Sequence, residues 1–90
     1  MEIWANIKEV PGYMVSSLGR VRNRNTGRIL QTELNRKGGY ERVDIGGRKR
    51  YVHRLVMNSF FSECTDEKVT HIDGNKCNNA ITNLKFIDKK

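Results

Sequence analysis

Cysteine is scarce in this chain, and its two cysteines, Cys64 and Cys77, stand singly with no Cys-x-x-Cys pair. That excludes a knuckle built on paired thiolates, so no zinc is expected and both thiols are read as reduced and in loops. Long apolar runs are missing too. Nothing approaches the ~20 residues that a membrane-spanning helix needs. The basic residues fall in turn-rich sequence instead of along an amphipathic helix, which sets aside a membrane-surface protein. The opening Met1-Glu2-Ile3-Trp4 has neither the basic region nor the apolar core of an export signal. A cytosolic protein is expected. With 90 residues, the chain can form one small domain with a modest core.

Acidic residues are few where they matter most. The chain carries 17 Lys and Arg against 10 Asp and Glu, a formal charge of +7. Between Arg20 and Arg54 there are eleven basic and three acidic residues, a balance of +8, whereas the remainder sums to −1. Nine of those eleven are arginine, whose planar fork suits phosphate and guanine. A basic excess confined to one segment is the footprint expected of a polyanion partner, with DNA first and an acidic protein surface second. A merely solubilising surface would spread the charge more evenly.

Glycines at 12, 19, 27, 38–39 and 46–47 divide the first half into short runs of strand character. Residues 13–16, 20–24 and 28–32 read as successive antiparallel strands. Residues 40–45 alternate, with Val43 and Ile45 on one face and Arg42 and Asp44 on the other. A hairpin turn at 46–48 then leads into 49–52. Arg20, Arg22 and Arg24 share one strand face, and Arg48, Lys49 and Arg50 crowd a hairpin tip. With Arg28 these form the candidate DNA-binding set, since a twisted basic ribbon can follow a phosphate backbone. Residues 53–61 predict a helix with Leu55, Val56, Ser59 and Phe60 as its stripe. Residues 62–67 form a polar loop, and 69–71 and 84–87 predict a final hairpin. The expected class is α+β: an N-terminal antiparallel sheet, one central helix, and a C-terminal hairpin. The expected core is Trp4, Val43, Ile45, Leu55, Val56, Phe60, Ile72 and Leu84.

The most informative stretch is Val69-Thr70-His71-Ile72-Asp73-Gly74-Asn75-Lys76, followed by Asn78-Asn79 and Asn83-Leu84. It sets one histidine at the end of a short apolar run, before a tight Asp-Gly-Asn turn. An imidazole that activates water must be held rigidly, with a second group fixing its ring. Together with Val52-His53-Arg54-Leu55-Val56, this stretch resembles the HNH endonuclease family, in particular the phage-type homing endonucleases. Trp4, the run from Gly12 to Arg22, and Gly39-Tyr40 resemble the strand-rich DNA-binding motif that often precedes that domain. The two similarities divide the chain into 1–52 and 53–90.

The resemblance implies that His71 is the general base and Asn83 the central asparagine. It implies a turn at Asp73-Gly74-Asn75, with Asn78 and Asn79 bonding backbone groups of that loop. It also implies one divalent cation, Mg2+ or Mn2+, and a host cytosol for a phage-encoded chain. Thr70 stands where the family carries an aspartate or, at times, an asparagine, and threonine is a poor ligand for a hard cation. The family's final helix, with a second metal ligand, would begin near the last residues, where Asp88 is the nearest oxygen donor. The metal ligands of this chain are therefore unassigned. His53 is read as a buried structural ring with a polar partner. Two functions remain open: a metal-dependent nuclease that cuts or nicks DNA, and an inactive HNH-derived binding module acting as a regulator or inhibitor.

Overall fold

Glycine turns set the strand lengths. In the computed structural model, which describes residues 2–36, 38–61 and 68–87 (the backbone alone at Lys68, Phe86 and Ile87), every strand has five residues or fewer. Cys64, the polar loop 62–67 and Asp88 lie outside the described residues. The elements run β1 (Trp4–Asn6), β2 (Tyr13–Ser16), β3 (Val21–Asn23), β4 (Glu33–Leu34), β5 (Glu41–Ile45), β6 (Arg48–Tyr51), α1 (Val52–Phe60), β7 (Lys68–His71) and β8 (Leu84–Ile87). A 3-10 turn, Ile81–Asn83, precedes β8. They form two three-stranded antiparallel sheets, β1-β2-β3 and β4-β5-β6, and the hairpin β7-β8. The α+β expectation holds.

The first sheet differs from its sequence reading in composition. β1 was not expected, and residues 28–32 do not make a third strand. The chain touches β3 there at one bridge, Ile29 to Arg22, with Leu30 N–H donating to Val21 O at 2.8 Å. Leu30 packs against the core while Ile29 is exposed, and the chain then leaves to pair Glu33 with Arg42 in the second sheet. Residues 28–34 thus cross between sheets. In the second sheet alternation behaves as expected: Val43 and Ile45 are buried and Asp44 is exposed. The turn is Gly46–Gly47, with φ of 61° and 79°, the pair of positive values that suits a two-residue hairpin. Arg48 belongs to β6, opposite Ile45.

Helix α1 follows β6 without a linker. Its N-cap, Tyr51, makes no side-chain capping bond, and no acidic residue occupies the first turn. Burial holds it instead. Val52, His53, Leu55, Val56 and Met57 are buried, so the apolar face sits nearer the N-terminal end than the expected stripe, and Ser59 and Phe60 are half-buried. One apolar cluster joins Ile7, Val10, Val15, Val21, Val43, Ile45, Val52, Leu55, Val56, Met57 and Leu84, drawing on all three sheets and the helix.

Three core expectations need correction. Trp4 is half-buried, on the face opposite Val15 and Val21, where the Arg22 guanidinium lies 4.2 Å from its ring centroid. Phe60 is half-buried at the helix end. Ile72 is 60% exposed, because inward-facing His71 takes the buried position and leaves its neighbour pointing out. Leu55→Ala should therefore cost about 2–5 kcal/mol in urea unfolding, while Ile72→Ala should change the midpoint little. A large loss at Ile72 would contradict the hairpin's orientation.

Candidate active site on the C-terminal hairpin

β7 and β8 pair in register with His71 opposite Leu84 and Thr70 opposite Lys85. Beyond His71 the chain enters a loop built by polar side chains. The Asp73 carboxylate accepts from Asn75 N–H at 2.7 Å, Asn83 Nδ2 at 2.9 Å and Asn78 Nδ2 at 3.0 Å. These bonds, that of Asn78 first, hold the carboxyl below its ordinary range. Asn83 also donates to Asn78 O, and its Oδ1 accepts from Asp73 N–H. Gly74, with φ of 77°, allows the turn. Asn83 therefore ties the two ends of the loop together and makes no hydrogen bond to His71.

Asn79 is the residue that meets the imidazole. It is 2% exposed, and its Oδ1 lies 2.7 Å from His71 Nε2. Its Nδ2 donates to Glu41 Oε1 at 2.7 Å, and Glu41 Oε2 accepts from Thr32 Oγ1 at 2.5 Å. Asn79 was expected to serve the loop backbone; it instead reaches the strand-rich half. Glu41 and Thr32 carried no functional signal in the sequence, because their relevance depends on long-range pairing.

His71 is 8% exposed, yet Nδ1 is not among the buried polar atoms that lack a partner. With no hydrogen bond to a described residue, that nitrogen meets solvent. The ring lies 6.0 Å from Tyr40 and 5.4 Å from His53, centroid to centroid. Lys76 Nζ stands 4.8 Å over the Tyr40 ring and donates to Gly38 O, placing a cation beside the cluster. His53 is buried as expected, but its Nδ1 has no partner, contrary to the expected polar one. It is held by stacking against Tyr40 and Tyr51.

The donor set does not fit a complete divalent-cation cradle. HNH nucleases are typically dependent on a divalent metal. Here the neighbour of His71 is Thr70, and Asp73 is engaged by the loop. Among the described residues no three His, Cys, Asp or Glu side chains gather.

The basic candidates divide by environment. Arg20 pairs with Glu2, which this contact holds down at about 2, and both Arg20 and Arg22 lie over Trp4. Lys49 bridges to Glu33 at 3.0 Å. Arg50 lies opposite Val43 with its Nε buried and unpaired. Arg24, Arg28 and Arg48 are exposed and join no ion pair among the described residues.

Burial, then the neighbouring His71 and Arg54, push His53 down from its ordinary 6.5 to about 4. The unfolded chain binds this proton more readily than the fold, so stability should fall as pH drops from about 6.5 to about 4. His53→Phe should flatten that part of a stability–pH profile. An unchanged slope would mean the ring titrates normally.

A family model for the NUMOD4 motif matches residues 2–46, and one for HNH endonucleases matches residues 50–90. An uncharacterised HNH endonuclease of Acanthamoeba polyphaga mimivirus is 39% identical across 96% of this chain and 24% of its own length. The DNA endonuclease I-HmuI of Bacillus phage SP01 is 38% identical across 97% of this chain and 53% of its own. The solved structure of the HNH homing endonuclease I-HmuI, described in terms of DNA binding and cleavage, aligns at a TM-score of 0.79. That alignment has 36% identity and covers 94% of this chain and 52% of the other. The chain thus spans about half the length of I-HmuI and about a quarter of the mimivirus protein. With both matched segments in tandem on one fold, the chain belongs to the phage-type HNH endonuclease family with an N-terminal NUMOD4 motif.

Proposed function

We propose that this protein binds DNA and presents His71 to a phosphodiester as the base of an HNH-type hydrolysis. The observation that carries the reading is the histidine at the end of β7, with Nε2 anchored on Asn79 and Nδ1 open to solvent. A neutral imidazole held this way can take a proton from water at Nδ1 while its orientation stays fixed. In this reading Asn83 acts at one remove, by closing the loop that follows the base.

DNA is the partner that the charge supports. A duplex presents about one negative charge per 1.7 Å of axis, and the +8 segment lies in the same small domain as His71. Arg20, Arg22, Arg24, Arg28, Arg48, Lys49 and Arg50 form the proposed contact set. Arg24, Arg28 and Arg48 stand first, since no acidic side chain among the described residues competes for them. Mg2+ or Mn2+ would be the hard cation of the reaction, and the cytosol of an infected host its place.

Thr70 favours a second reading, binding without efficient cutting, because a neutral hydroxyl replaces the carboxylate a hard cation prefers. Plasmid nicking at millimolar Mg2+ separates the two. Weak or absent cleavage is expected from the chain as it stands. A partial gain is expected in Thr70→Asp, abolished when His71→Ala is added. Strong, chelator-sensitive cleavage by the unmodified chain would refute the binding-only reading.

The DNA interface has its own test. Binding measured against salt should weaken steeply, and replacing Arg24, Arg28 and Arg48 by alanine should reduce the log–log slope by up to about 0.9 per residue. An unchanged slope would place the DNA on another face.

A further inference from the structure

We infer that Glu41 is a positioning residue for His71: acting through the Asn79 amide, it fixes which imidazole nitrogen carries the proton. The inference deepens the reading of His71 as a base and rests on it for its catalytic meaning.

The chemistry of the chain of bonds sets its direction. A carboxylate can only accept hydrogen bonds. Glu41 Oε1 stands 2.7 Å from one terminal atom of the Asn79 side chain, so that atom must be the NH2 group. The carbonyl oxygen of the same amide then faces His71 Nε2 at 2.7 Å, and being an acceptor it requires Nε2–H. In the neutral ring the proton therefore sits on Nε2 and the lone pair on Nδ1, the nitrogen open to solvent. A histidine whose one nitrogen is fixed by a hydrogen bond has the other nitrogen's state decided for it. An amide alone could not do this, because it can turn over and offer either end. The carboxylate removes that freedom.

Three further contacts hold the device in place. Thr32 Oγ1 donates to the second oxygen of Glu41 at 2.5 Å. The backbone of Asn79 packs so closely on Gly19 that a Cβ added there would lie 2.8 Å from the Asn79 Cβ. Two residues on, Ile81 N–H donates to Ser17 O at 2.7 Å. Asn79 is thus seated between a β2–β3 turn and strand β5. Glu41 and Thr32 belong to the NUMOD4 segment, while His71 and Asn79 belong to the HNH segment. The first segment consequently contributes to the state of the base as well as to the basic surface.

The test reads the tautomer directly and needs neither DNA nor metal. The chain contains two histidines, so ring signals in long-range 1H–15N spectra of neutral protein can be assigned from their loss in His71→Gln. In the unmodified chain, His71 should show protonated Nε2, unprotonated Nδ1 and a slowly exchanging Nε2–H. Glu41→Lys should reverse the pattern, because an ammonium donates to the Asn79 oxygen and turns the NH2 group toward the ring. A protonated Nδ1 in the unmodified chain would overturn the inference. So would an unreversed pattern in folded Glu41→Lys. Should that variant fail to fold, the isosteric Glu41→Gln should still exchange its Nε2–H at least about tenfold faster, in line with replacing a charge-assisted hydrogen bond by a weaker neutral one. Unchanged exchange there would also sink the idea. The expected tautomer in a chain whose Thr70→Asp variant also fails to cut DNA would refute the nuclease reading and leave the positioning role standing.

Discussion

Neither the three-stranded sheets nor the two-stranded hairpin of this protein is large enough to hold itself together, since small ribbons are marginal in water without a packed face. The constraint on which the fold depends is the burial of α1 against them. Val52 and Val56 are wholly buried, and Leu55 and Met57 are nearly so. They share one cluster with Val15 and Val21 of the first sheet, Val43 and Ile45 of the second, and Leu84 of the hairpin. Because the helix lacks a side-chain cap, its stability comes almost entirely from this contact. His53, carried on the same buried turn, is placed beside His71 by the same packing.

Much of this was legible in the sequence where local rules govern. Alternation located β5 and its inner face, paired glycines located the β5–β6 turn, and the run from Val69 to Leu84 located the loop after His71. The limits were equally physical. The hairpin's period assigned Ile72 to the core, yet the buried register position belongs to the polar His71, whose hydrogen bond to Asn79 makes that burial tolerable. Trp4 carries a large apolar ring, but two guanidiniums cover it on the outer face. The roles of Glu41 and Asn79 follow from a contact across 38 positions, which no window of local pattern can contain.

The basic surface illustrates the same boundary between composition and geometry. Net charge pointed to a polyanion. It could not tell which arginines are spoken for. Glu2 and Glu33 engage Arg20 and Lys49, and Trp4 engages Arg22, so part of the positive charge stiffens the sheets. Exposed pairs of this type add little stability, but they restrict where those side chains can point.

The span of the Glu41–Asn79 hydrogen bond also bears on the order of events in folding. Contacts between distant residues form late, because the chain must close a long loop before they return any free energy. The β7–β8 hairpin can form locally; the seating of Asn79 cannot, as it needs β5, the β2–β3 turn and the helix already in place. A chain still in the course of folding would hold the histidine without the restraint on its ring. The site becomes organised only when the molecule is whole, which ties the state of the imidazole to the last steps of self-assembly.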